Sequence, residues 1–175
     1  MLERVLIAGS GGQGVLLVGK LLATVAVDTV PHVTFFPVYT IEVRGGTANC
    51  QVILSSDEIA SPVSDRFDSI LLMNQAGVER FSPLCGDGCL TLVNQSLCRV
   101  PAGVPAAQVD ATETANQLGD TRMANLVMLG AYLARKPLLN AEAVEREIRQ
   151  VFADKSSELA ELNVKAFKAG LTLGG

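Results

Sequence analysis

The stretch VLIAGSGGQGVLLVGKLLA, residues 5–23, passes from an apolar segment through four glycines and a glutamine into a second apolar segment broken only by Lys20. The short aliphatic run over 3–8 predicts a strand, and the longer one over 13–28 predicts a helix. Between them Gly9, Gly11 and Gly14 satisfy the spacing G-x-G-x-x-G, at the place where backbone amides of a helix N-terminus face an anion. A dinucleotide site of this kind also needs an acidic side chain near the end of the second strand, to hold a ribose hydroxyl. HVTFFPVY, residues 32–39, has none, and Asp28 comes too early. A tight turn with close packing accounts for about two of the glycines; Gly11-Gly12-Gln13-Gly14 has more freedom than a turn requires.

Outward from that loop, residues 33–38 predict a second strand. TANCQVIL (47–54) predicts a third, because polar and apolar residues alternate and β-branched residues recur. SILLMN (69–74) and CLTLVN (89–94) are short apolar runs of the kind buried on both faces of a parallel sheet. From Asp110 the signals turn helical. ATETANQLG closes on Gly119 as a C-cap, and Asp120 or Thr121 caps a helix through RMANLVMLGAYLAR that Pro137 ends. Asn140 caps AEAVEREIRQVF, with Val144, Ile148, Val151 and Phe152 on one face, and a last helix covers 156–169. The expected fold is α/β: one domain over 1–175, three-layer and Rossmann-like, with a largely parallel sheet, a hairpin element and a helical C-terminal third.

The chain has 175 residues, 49% of them hydrophobic, with no Trp, which suits a core of small aliphatic side chains between helices and sheet. A net charge of −4, with 14 basic residues spread along the chain, speaks against the dense cationic face that nucleic acid requires. The beginning lacks the basic region and cleavage site of a signal peptide, and Lys20 and Asp28 interrupt the longest apolar helix before it spans a bilayer. The expectation is a cytoplasmic protein with no membrane partner. Cys50, Cys85, Cys89 and Cys98 are expected to be reduced thiols, since the last three are spaced by three and eight intervening residues, unlike zinc or cluster motifs. The one histidine, His32, reads as a strand-edge residue, and no carboxylate pair sits in an evident apolar pocket, so no catalytic residue is assigned.

PVYTIEVRGGTANCQV (37–52) is the second unusual stretch. If extended, it puts Glu42 and Arg44 on one face, while Gly45 and Gly46 leave the backbone bare where another chain or a ligand approaches. The plainer alternative is an edge hairpin with a solvated ion pair. Taken together, GSGGQGV, YTIEVRGG and TANCQVILS resemble the gamma subunit, or gamma domain, of the 2-oxoacid:ferredoxin oxidoreductases. That family follows a GxGGQG loop with Y-x-x-E-x-R-G-G and a strand leading to S-x-x-x-I-x-x-P, read here from Ser55 through Ile59 to Pro62. RMANLVMLGAYL is similar to the family's Asn-containing helix, with Asn125 and Gly130 in matching places. The chain departs at Thr40, where many relatives have glycine, and at Ile41, where proline or a small residue is common.

The resemblance, which covers almost the whole chain, implies a subunit that is inactive alone. The complete enzymes oxidatively decarboxylate a 2-oxoacid to its acyl-CoA, using thiamine diphosphate with magnesium and iron–sulfur clusters carried on alpha, beta and delta partner chains, and pass electrons to ferredoxin. Coenzyme A is the co-substrate. By matching positions, Gly9, Gly11, Gly12, Gln13 and Gly14 form a loop facing the interface or the coenzyme, and Tyr39, Glu42, Arg44, Gly45, Gly46 and Asn125 are further contacts. Gly86-Asp87-Gly88 begins like a thiamine diphosphate motif but lacks the closing pair of asparagines, and reads as a turn. Two other readings stand beside this one: a self-sufficient NAD(P)- or flavin-binding oxidoreductase domain, which leaves EVRGG without a role, and a subunit of the related indolepyruvate oxidoreductase.

Overall fold

The computed structural model describes residues 1–39, 47–85 and 88–175. Glu42, Arg44, Gly45 and Gly46, and most of the turn expected at 86–88, lie outside the described residues. The chain runs β1 (Leu2–Ser10), α1 (Val15–Ala26), β2 (His32–Tyr39), β3 (Thr47–Ser55), β4 (Ser69–Leu72) and α2 (Gln75–Phe81). It continues β5 (Leu90–Asn94), β6 (Ala107–Val109), α3 (Ala111–Gln117), α4 (Ala124–Arg135), α5 (Ala141–Phe152) and α6 (Ser157–Gly174).

The sheet has the order β2-β3-β1-β4-β5-β6. β1, β4, β5 and β6 are parallel neighbours, while β3 runs antiparallel to both β1 and β2. The largely parallel sheet and its hairpin element are therefore as expected, and His32 opens an edge strand. β1 reads as an unbroken apolar run because both of its faces are covered. Val5 and Ile7 join one core cluster, built with α1, α4, α5 and α6, and Leu6 and Ala8 join another, closed by Phe67, Val78 and Phe81. Helices thus lie on both faces of the sheet, giving three layers. Among the described residues no helix is long and apolar enough to cross a membrane.

Two elements carry no signal strong enough to predict. α2 is seven residues long and β6 three, each shorter than the periodicity that would reveal it. α2 begins because Asn74 Oδ1 accepts the Gly77 N–H at 2.8 Å, satisfying one of the free amides of its first turn. Asp120 caps a single 3-10 turn over Thr121–Met123 rather than α4 itself, accepting the Arg122 N–H at 2.9 Å. Gly119 ends α3 as expected: its φ of +104° is the left-handed region, and the Asp120 N–H reaches back to Ala115 O at 3.1 Å.

Two contacts fix α4. Gly130 faces the α6 backbone at Phe167 and Leu171, and Gly170 faces the α4 backbone at Val127 and Ala131 in return, so the two helices pack with no side chain between them at these points, while Gly174 packs on Ala131 and Ala134. This also explains why α6 runs on to Gly174 beyond the expected 169: its last turn is held against Ala131 and Ala134. At the opposite end of the sheet from the glycine loop, the buried Glu3 carboxylate accepts from Ser69 Oγ at 2.6 Å, Tyr132 Oη at 3.1 Å and Lys136 Nζ at 2.8 Å. That cluster ties the C-terminus of α4 to β1 and β4.

Candidate ligand site at the glycine loop

β1 ends at Ser10, the loop occupies 11–14, and α1 begins at Val15. The parallel strands β4 and β5 end along the same edge, at Leu72 and Asn94. β1 feeds α1 and then β2 on one side of itself, while β4 lies on its other side, so the loop sits at the point where the chain order reverses. Crevices at such points, outside the carboxyl ends of the strands, are where open α/β sheets bind ligands.

The loop is held from below. Gln13 Oε1 accepts the Ser10 N–H at 2.7 Å, Ser10 O accepts the Gln13 N–H at 3.1 Å, and Gln13 Nε2 donates to Met73 O at 3.1 Å. Met73 O takes a second donor, Nδ2 of the fully buried Asn94, at 3.4 Å, and the same Nδ2 lies 2.8 Å from Thr112 Oγ1. Asn74 Nδ2 donates to Ser10 Oγ at 2.6 Å. Gln13, expected in the ligand-facing loop, therefore turns its side chain into the protein and cross-ties the ends of β1 and β4. From above, Asn125 of α4 donates Nδ2 to Gly14 O at 3.2 Å.

What remains open is Gly11 and Gly12. Both are exposed, and among the described residues nothing accepts their N–H groups. α1 has neither a side-chain cap nor an acidic residue in its first turn, so the positive end of its dipole is free for an anion. Two clefts flank the loop. One, of about 180 Å³, is lined by Gln13, Met73, Leu97 and Thr112; the other, of about 260 Å³, by Phe152, Lys155 and the buried Asn163. Gly12 and Arg122 line both. The exposed Arg122 guanidinium is forked onto Asp120, with Nη2 to Oδ2 at 2.6 Å, and these hydrogen bonds hold the Asp120 carboxyl below its usual range.

The second expected segment starts from the same edge. Ala48 is the register partner of Gly9 on one side and of Tyr39 on the other, and Thr47 is that of Ser10. The backbone of Tyr39 is thus placed here, while its side chain and Glu42, Arg44, Gly45 and Gly46 are outside the described residues. Arg122, Lys155, Asn163, Thr112 and Asn94 were not among the expected site residues. For Asn94 a signal existed: SILLMN and CLTLVN are apolar runs that both end on Asn, and both asparagines serve the strand-end network.

The glycines divide by what a side chain would meet. Gly14 has φ +70° and a methyl there would strike the Asn125 carboxamide, so Gly14→Ala is expected to cost about 2–3 kcal/mol in urea unfolding. A methyl added at Gly9 would lie 2.7 Å from Gln13 Oε1, 2.8 Å from Val15 Cγ1 and 2.9 Å from Met73 Cβ, so that position is closed as well. Gly11 has nothing within 4 Å, so Gly11→Ala should leave stability within about 0.5 kcal/mol of the original.

Over 169 residues the chain is 36% identical to ketoisovalerate oxidoreductase subunit VorA of Methanothermobacter thermautotrophicus, covering 95% of this chain and 35% of that protein. It therefore spans about a third of the length of the ketoisovalerate relatives it matches. It is 32% identical to 2-oxoglutarate synthase subunit KorC of Archaeoglobus fulgidus, covering 96% of this chain and 86% of that one. Among solved structures, the gamma subunit of keto/oxoacid ferredoxin oxidoreductase from Geobacter sulfurreducens superposes with a TM-score of 0.81 at 28% identity, covering 98% of each chain. The 2-oxoglutarate:ferredoxin oxidoreductase of Magnetococcus marinus shares the fold, with a TM-score of 0.89 at 23% identity over 99% of this chain and 31% of that one. Residues 4–173 match the family described as pyruvate ferredoxin/flavodoxin oxidoreductase, and the chain belongs to that family.

Proposed function

We propose that this chain is the gamma-type subunit of a cytoplasmic 2-oxoacid:ferredoxin oxidoreductase, which oxidatively decarboxylates a 2-oxoacid to its acyl-CoA. In this reading alpha, beta and delta partner chains hold the thiamine diphosphate, its magnesium and the iron–sulfur clusters, and electrons leave to ferredoxin. Those groups supply carbanion stabilisation and electron transfer when bound. Among the described residues no three His, Cys, Asp or Glu side chains gather as a metal ion needs, so no step is assigned to such a group here.

What this chain offers is a binding surface for coenzyme A. The observation that carries this is the exposed Gly11–Gly12 amide pair at the head of α1, with Arg122 and Lys155 on the clefts beside it. Phosphate oxygens accept from backbone amides and charged side chains at such a place, and those hydrogen bonds are stronger than neutral ones. No carboxylate stands over 32–39 for the ribose of NAD, which favours this reading over a stand-alone nucleotide-binding oxidoreductase.

The test is a native purification from the host grown without oxygen, followed by kinetics of the Gly11→Val complex. Thiamine- and cluster-bearing chains should co-purify, and the variant should show a KM for coenzyme A raised about tenfold with unchanged thermal unfolding of the subunit. A lone protein carrying NAD(P) or flavin would overturn the subunit reading. An unchanged KM would remove the coenzyme contact and leave the subunit reading standing.

A further inference from the structure

At the other end of β5 from the ligand site, two thiols share one partner. Cys85 Sγ lies 2.9 Å from Thr91 Oγ1, and Cys89 Sγ lies 4.0 Å from the same oxygen. The Cys85 thiol is close enough to act on Cys89 electrostatically. Thr91 is 2% exposed, so its hydroxyl is a fixed point on which both side chains converge, while the cysteines themselves are half-buried and within reach of a small reagent. The other two cysteines are different. Cys50 is fully buried with its Sγ on Val15 O, and Cys98 is 7% exposed in the second core cluster. Burial holds the Cys89 thiol protonated and the neighbouring Cys85 adds to this, with the Lys136 ammonium a smaller opposing influence.

From this placement we propose that Cys85 and Cys89 are a redox-active dithiol, a modification site that closes reversibly to an intramolecular disulfide. A disulfide needs the two Cβ atoms close and the side chains aimed at each other, and the convergence of both thiols on the one Thr91 hydroxyl brings them together for it. The oxidant is a low-molecular-weight disulfide. One cysteine loses its proton and its sulfur attacks, forming a mixed disulfide and expelling one small thiolate, which takes up a proton. The second cysteine loses its proton and displaces the remaining small thiol. Two protein S–H bonds give way to one S–S bond, the reagent's S–S bond becomes two S–H bonds, and two electrons pass from protein to reagent. Burial pushes the Cys89 thiol up to about 11, so the exchange is best followed at mildly alkaline pH.

The experiment treats the native protein with glutathione disulfide, alkylates the remaining thiols and maps the peptides by mass. The expected result is loss of two of the four thiols, no retained glutathione, and one bridged peptide carrying Cys85 and Cys89 that dithiothreitol reopens. Cys85→Ser and Cys89→Ser should each end instead as a stable glutathione adduct on the surviving thiol. Four intact thiols, a persistent adduct on the unmodified sequence, or a bridge between chains or to Cys50 or Cys98 would each overturn the proposal. The wild-type protein alone decides among these outcomes, whatever the variants do to folding.

Discussion

Gly130→Ala is expected to lower stability by about 3 kcal/mol, or to leave the chain unfolded, as read from the urea unfolding midpoint. A methyl group at 130 would run into Phe167 O and lie 2.7 Å from Leu171 N, both backbone atoms of α6. A flexible side chain would swing away; a helix backbone has to move as a body, and α6 is held further along the same face where Gly170 meets the α4 backbone at Val127 and Ala131 and Gly174 meets Ala131 and Ala134. Alanine would also raise helix propensity by about 1 kcal/mol over glycine, so the loss measured is net of that gain. Gly11→Ala serves as the control, since it adds the same methyl where nothing lies within 4 Å. A Gly130→Ala midpoint equal to that of the control would mean the helices are not in backbone contact.

The glycine loop was legible because its chemistry is local. Residues that must turn sharply between a strand and a helix are glycines whatever the rest of the chain does. β1 and α1 were legible for the same reason, as were α5 and its cap, where Asn140 Oδ1 accepts the Ala143 N–H at 3.0 Å. Local pattern does not say which way a loop side chain turns. Gln13 stands in the middle of the motif, and only the position of Met73, sixty residues on, shows that it points inward. Lys155 and Asn163 reach the cleft beside Gly14 because α5 packs on α1 and α6 packs on α4 and α5, a juxtaposition with no trace in the sequence near either residue. The dithiol was half visible: Cys85 and Cys89 were read as free thiols, which they are, but Thr91 as their common partner depends on where β5 begins.

The Glu3 cluster gives the second large effect, and its direction is informative. Lys136→Met is expected to cost about 2–4 kcal/mol, below the range for a fully buried pair because the lysine side chain is 26% exposed. Glu3→Gln should cost less, about 1–2 kcal/mol. The difference follows from which partner can reach water. The Glu3 side chain is 7% exposed and cannot be resolvated in place, so removing Lys136 strands a carboxylate; removing the carboxylate leaves an ammonium on a flexible stem that can swing outward. Ser69 and Tyr132 would still donate to the stranded carboxylate, but neither can neutralise it. Burial first, and the Glu3 charge next, hold the Tyr132 hydroxyl protonated well above its ordinary range. Lys136 also donates to Asp68 O at 2.8 Å, and both variants should be compared with Glu3→Gln/Lys136→Met in urea unfolding. The double variant should recover part of the Lys136→Met loss, because no charge is then left behind in the core. A Glu3→Gln loss equal to or larger than that of Lys136→Met would show that water reaches the carboxylate, and that the pair stabilises the fold as a surface ion pair does.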